Sequence, residues 1–185
     1  MLGGPSDVVA EGAGGSSTPP RDADRTAVYE AEDLVHRLMD RSLDRPSLQV
    51  AGSTLTLPGE RKFASLESVQ RYVDAVLALP RVRAEYSEPS AAGVTVRRRR
   101  GNTQAHYEFG TATLALPTGL GTAGWAMREL VVLHELAHHL AGDAVARHGT
   151  LFRRTLLDLI DAALGPEVRL LLYVTYVDVG IDPVL

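Results

Sequence analysis

The first clear hydrophobic rhythm begins at Asp24. Val28, Leu34, Val35, Leu38 and Met39 recur at helical spacing with charges between them. The pattern predicts an amphipathic helix of about 17 residues that ends before Pro46. Leu48, Val50, Leu55 and Leu57 follow, broken by Gly52 and closed by Pro58-Gly59, and read as a short strand or hairpin. Ser65 can cap a second helix, with Glu67 or Ser68 in its first turn, that runs through Val69, Tyr72, Val73, Val76 and Leu77 to Pro80. Residues 82–116 read as β structure: a strand at Val94–Arg100, a turn at Gly101-Asn102, and a second strand from Ala105 to Leu116 stopped by Pro117. Gly119, Gly121 and Gly124 mark a flexible loop.

A strongly apolar helix is expected from about Ala123 to Ala141, closed by Gly142. Another covers about Gly149 to Leu164, and Gly165-Pro166 separates it from a last helix ending near Val177. Strands do not alternate with helices, so the expected class is α+β rather than a doubly wound parallel sheet. Before this ordered region, residues 1–25 hold eleven Gly, Pro or Ser and no aromatic residue. Such a stretch buries too little apolar surface to offset its ordering entropy. The expected organisation is a disordered tail over 1–25 and one domain over 26–185.

Composition narrows the chemistry. The 185 residues contain no cysteine, which excludes disulfide scaffolds, thiol catalysis and Cys-based metal sites. A transition metal would have to sit on His, Asp or Glu. The net charge of -4 gives no global attraction to nucleic acid. No apolar run approaches the length that spans a bilayer, and the amino end lacks the basic and apolar regions of a signal peptide. The expected location is therefore the cytoplasm.

One motif carries chemistry. His134-Glu135-Leu136-Ala137-His138 is H-E-x-x-H inside the strongest helix. Four residues of separation put both imidazoles on one helix face, within reach of one metal ion. Glu135 follows the first ligand and can act as general base on metal-activated water. A third ligand is required, with a fourth position left open. His148, Asp143 and Asp158 are the candidates downstream, with His148 preferred. The metzincin spacing is absent, because Ala141 and Ala144 stand at its Gly and third-His positions. His139 points away around the helix and reads as a packed residue, and His36 and His106 read as lone imidazoles. The 105–116 strand is a candidate substrate-binding edge. Tyr107, Tyr173 and Tyr176 are candidate donors to a substrate oxyanion.

The segment HELAHHLAGDAVARHGTLF resembles the zinc signature of SprT-like and related minimal zincin peptidases, in which a third His stands in an H-G-x-x-F context. Over roughly residues 26–181 the chain is similar to a small family of uncharacterised zinc metallohydrolases found in actinobacteria and their phages. Lys62-Phe63-Ala64-Ser65, Leu114-Ala115-Leu116-Pro117 and Trp125 belong to that likeness. The resemblance implies a minimal zincin-like fold, one Zn2+ on His134, His138 and His148, and Glu135 as catalytic acid/base. The SprT-like likeness is confined to the metal core, and no cysteine-rich zinc ribbon follows it.

Two signals compete. Arg97 to Arg100 could track phosphates, but alternate strand residues face opposite sides, so a solvated or edge-protecting strand is the expected role. The glycines at 119–124 lack the G-x-x-x-x-G-K-[ST] pattern of a phosphate loop. The leading expectation is a zinc-dependent hydrolase, a metallopeptidase acting on a peptide or protein substrate. The alternative is a nucleic-acid-associated protein whose metal site is structural and closed by four ligands. A third possibility is a peptidase tethered to a partner by its tail.

Overall fold

The computed structural model describes residues 22–44, 47–100, 104–118, 123–143 and 147–182. The first apolar stripe forms α1 (Arg25–Ser42), which buries Val28, Ala31, Val35 and Met39 along one face. The expected hairpin follows as β1 (Ser47–Val50) paired antiparallel with β2 (Ser53–Thr56). Its two-residue turn places both Ala51 and Gly52 at positive φ, the geometry whose twist matches that of paired strands. Helix α2 (Leu66–Leu77) starts at a reciprocal cap in which the Ser65 and Ser68 hydroxyls accept each other's backbone N–H.

Residues 82–92 depart from the β expectation and form two short helices, α3 (Pro80–Glu85) and α4 (Ser87–Ala91). Pro80 at the first helical position is already shaped for a helix. The Arg, Ala and Glu that follow are good helix formers, and Val82 alone gives no strand-like alternation.

The sheet is also built differently from the predicted hairpin. The segment read as one strand from Ala105 to Leu116 divides into β4 (His106–Glu108), a 3-10 turn at Phe109–Thr111, and β5 (Thr113–Pro117). Ala112 takes a left-handed conformation with φ 45°, and the chain reverses there. Then β4 pairs antiparallel with β5, while β3 (Thr95–Arg99) pairs parallel with β5 on its other side. The order β3-β5-β4 leaves β5 in the middle, and it is buried along its whole length. The expected Gly101-Asn102 turn and most of the glycine loop, residues 119–122, lie outside the described residues.

The outer edge of β3 is covered by α2. Gln70 donates its amide N–H to the Val94 carbonyl at 2.8 Å and accepts the Val96 N–H at 2.7 Å. One side chain thus occupies the place of a neighbouring strand and blunts the edge. Arg97 on the same strand pairs with Glu108.

The helix predicted over 123–141 is interrupted. Residues Ala123–Ala126 form α5, and α6 (Glu129–Ala141) begins after Arg128 takes an extended conformation. The cause is backbone pairing with residues 61–63: Phe63 N–H donates to Met127 O at 2.8 Å, and Glu129 N–H to Arg61 O at 3.0 Å. Gly142 closes α6 with φ 76°. Helices α7 (Thr150–Ala163) and α8 (Pro166–Asp178) complete the chain as expected. One hydrophobic cluster runs from Val28 to Tyr176 and includes Leu114, Leu133, Leu136, Phe152 and Ile160. Among the described residues no helix is long and apolar enough to cross a membrane.

Replacing Gln70 by Leu removes both surrogate pairings of β3. The expected cost is about 1–3 kcal/mol of stability, read by urea denaturation. An unchanged midpoint would show that this edge needs no partner.

Candidate metal centre

The H-E-x-x-H motif sits on α6, which is apolar nearly all round and buried between the sheet side and α7. Its amino end has no side-chain cap of its own. Glu60 supplies one from a distance, accepting the Leu130 N–H at 3.1 Å and pairing with Arg128. Glu129, fully buried, accepts the Arg61 N–H at 2.9 Å and pairs with its guanidinium. Two carboxylates therefore sit where the helix dipole favours negative charge, and they fix the register of α6 against segment 60–63.

His134, His138 and His148 come together, each offering one ring nitrogen within 4.8 Å of the others. All three are buried. The Nε2 atoms of His134 and His148 lie 3.4 Å apart. Two ligands at about 2.0–2.1 Å from one tetrahedral ion are separated by roughly this distance. Phe152, at 0% exposure, floors the cluster, with its ring centroid 4.9, 4.4 and 5.0 Å from those of His134, His138 and His148. Tyr29 covers the other side and stacks on His134 at 5.4 Å.

The far nitrogens are engaged. His134 Nδ1 donates to Glu32 on α1 at 2.9 Å, and His148 Nδ1 donates to Asp22 at 2.8 Å. A carboxylate behind each ring assigns the proton to Nδ1 and leaves the Nε2 lone pair free for a metal. Facing lone pairs with nothing between them would repel, so the cluster fits a cation and its donor set fits a divalent transition metal. Arg153, buried on α7, holds the turn that carries His148: it donates to the His148 carbonyl at 2.8 Å, pairs with Asp24, and donates to Asp182 O at 2.8 Å. Residues 22–25, assigned to the tail from sequence, thus belong to the site. Residues 1–21 lie outside the described residues.

Other candidates are placed elsewhere. Asp158 accepts the Tyr86 hydroxyl at 3.0 Å, Asp143 is exposed, and neither belongs to the cluster. His139 donates from Nε2 to Pro89 O at 2.8 Å, so its Nδ1 accepts the Tyr107 hydroxyl at 2.6 Å. That bond commits the Tyr107 proton to packing rather than to a substrate. Tyr173 and Tyr176 lie on α8 and line neither part of the cleft described below. Tyr29 on α1 does line both, and no motif in the sequence marks it. His36 and His106 border the cleft without joining the cluster.

Glu135 is 5% exposed. Burial pushes its pKa up, against the opposing pull of His134. Burial lowers the pKa of His138, His139 and His148, helped for His138 and His148 by the neighbouring histidines. Burial opposes the charged form of His134 too, but Glu32 beside it turns the net shift upward. Burial also raises the Tyr29 hydroxyl to about 12, with Glu135 adding to the effect, so this group is a proton donor throughout the neutral range.

Two adjoining hollows open onto the cluster. The larger, about 480 Å³, is lined by Glu32, Asp33, Trp125, Val131, His134 and Glu135 among others. The smaller, about 280 Å³, reaches His138 and His148. Arg25, Tyr29, Gln104, Ala105 and Glu135 border both. No protein-family profile, curated protein or solved structure matches the chain.

Two outcomes test this geometry. Glu32→Gln and Asp22→Asn should each weaken metal affinity by about 10–100-fold in chelator competition, because each loosens one imidazole. Equal affinity would remove the carboxylates from the site. In metal-stripped protein His138, His139 and His148 take up protons less readily when folded than in the unfolded chain, where an imidazole titrates near pH 6.5. Above that pH they add no pH dependence. Below it stability should fall, by about 1.4 kcal/mol per pH unit for each uncompensated proton. His134 opposes, since a raised pKa adds stability at low pH that is lost as pH rises through it. Urea melts from pH 7.5 down to 5.5 read the net slope, and a flat profile would contradict it.

Proposed function

We propose that this chain is a zinc-dependent hydrolase, a cytoplasmic metallopeptidase of zincin type. The observation that carries the reading is the His134–His148 Nε2 separation of 3.4 Å, with His138 beside it and Glu135 of the same helix lining both hollows. Three protein ligands with a hollow on the remaining side match a catalytic site, whereas a structural site is closed by four. With Asp143 and Asp158 both away from the cluster, nothing specific favours the four-ligand, nucleic-acid-associated alternative. The likeness of residues 134–152 to SprT-like zincins adds to the case.

Zinc, when bound, supplies Lewis acidity toward a carbonyl oxygen and makes water acidic enough to react near neutral pH. The protein's part is positioning and proton transfer. Glu135 accepts a proton from the attacking water and delivers it to the departing amine nitrogen. Its raised pKa suits both roles. The Tyr29 hydroxyl, still protonated at neutral pH, faces the same space as a donor for the developing oxyanion. Gln104 and Ala105, leading into the edge strand β4, line both hollows and offer backbone to an extended peptide. This short segment takes the place of the continuous 105–116 strand expected from sequence.

Elemental analysis of untagged protein should find about one zinc in the native chain and in Glu135→Gln, and much less in His148→Ala. Cleavage of a denatured protein substrate should fall at least about 100-fold in Glu135→Gln. A native chain that holds no metal after zinc is supplied at neutral pH would end the hydrolase reading. Unchanged cleavage by Glu135→Gln would end the role given to that residue.

A further inference from the structure

The smaller hollow collects positive charge that the reaction does not use. Arg25 on α1, Arg99 at the end of β3 and Arg147 before α7 all line it, alongside His138 and His148. Three separate elements contribute, so the convergence is not a by-product of one strand's or one helix's periodicity. Each head group is steadied. Arg99 donates to Gln104 O at 2.9 Å, Arg147 lies over the Phe109 ring at 5.9 Å, and Arg25 lies over the Tyr29 ring at 5.6 Å. None of the three makes an ion pair with a carboxylate among the described residues. The arginines placed close by for structural reasons do: Arg128 pairs with Glu60 and Asp40, and Arg153 pairs with Asp24. Of the carboxylates in the same hollow, Asp22 is held by His148, and Glu135 is the general base of the proposed reaction.

The adjoining hollow has another balance of charge. Glu32 and Asp33 line it together with Trp125, Val131, the shared Arg25 and Arg128, and Arg128 is already paired with Glu60 and Asp40. A polyanion laid across the cleft would meet those acids after leaving the arginines. The polarity fits a ligand with one anionic group at one end, which favours a peptide over a nucleic acid.

We propose that the smaller hollow is a subsite for a single carboxylate of a peptide substrate, gripped by Arg25, Arg99 and Arg147, so that hydrolysis occurs beside an acidic residue or close to a free carboxyl terminus. The proposal rests on the metallopeptidase reading above. Guanidinium–carboxylate pairing in a partly enclosed site is short, charge-assisted and geometrically selective. At about 280 Å³ the space accommodates an acidic side chain or a terminal residue and little more.

Three zinc-directed probes separate the possibilities when bound to the zinc-loaded full chain. Each carries a malonyl hydroxamate, joined to Ala-Asp-amide, to Ala-Ala with a free carboxyl terminus, or to Ala-Ala-amide. Calorimetric titration should show one charged probe binding about tenfold or more tighter than the neutral one. Whichever charged probe wins names the source of the carboxylate. Arg99→Gln and Arg147→Gln, checked for native zinc content and circular dichroism, should cut that advantage to about threefold or less while leaving the neutral probe unchanged. Equal binding of all three probes overturns the carboxylate subsite and leaves the metal reading standing. Failure of all three to bind a chain that holds its zinc overturns both. Displacement of the charged probe by a short oligothymidylate assigns the arginines to phosphate and overturns the proposal.

Discussion

The fold turns on the need to hold three buried imidazoles in one orientation and tautomer, with one ring nitrogen of each aimed at one point. Imidazole rings rotate and exchange tautomers, and burial alone fixes neither. The carboxylate of Glu32 behind His134 does fix them, and it also ties the first helix to the metal helix across 102 residues of chain. Asp22 does the same for His148 across 126 residues. Both are long-range contacts with no value until the core has formed. The geometry of the site is therefore a property of the whole fold rather than of α6.

The surroundings repeat that logic with charge. Glu60 and Glu129 would be costly to bury alone. Each is compensated by an arginine and by a backbone N–H, at the place where the helix dipole also favours it. The interruption at Arg128 follows directly. An unbroken helix from Ala123 to Ala141 would withdraw the Met127 carbonyl and the Glu129 N–H from segment 61–63. The chain gives up helical continuity at one position and gains a fixed axial position for His134 and His138.

Local chemistry was readable from sequence, and long-range pairing was not. The H-E-x-x-H spacing, the Ser65 cap, the Gly142 stop and the β1–β2 turn are each decided within a few residues, and each stands where expected. His148 was reachable because it follows the motif closely in an H-G-x-x-F context, and Phe152 gives that context its reason as the floor under three rings. The sheet departs from the expected hairpin because apolar residues alternate on both sides of the reversal, at 105, 107 and 109 and again at 112, 114 and 116, and the one local sign of a break is the change of phase at Ala112. Nothing in that rhythm says that β5 enters between β3 and β4. Glu32 beside the α1 stripe and Asp22 in a Gly/Ser-rich leader look like ordinary solvated acids until their partners arrive.

The two sides of the histidine cluster divide the labour of the site. Phe152 is fully buried and gives three imidazoles a dry, immobile backing. Tyr29 is 38% exposed and faces the two hollows. Among the described residues the hollows open on the Tyr29 side, where Glu135 is also found. A site sealed on both faces would hold a metal without reacting, and one open on both would lose the low dielectric that lifts the Glu135 pKa. One closed face and one half-open face keep Glu135 buried while it still lines the approach, which is the setting the proposed proton transfer would need.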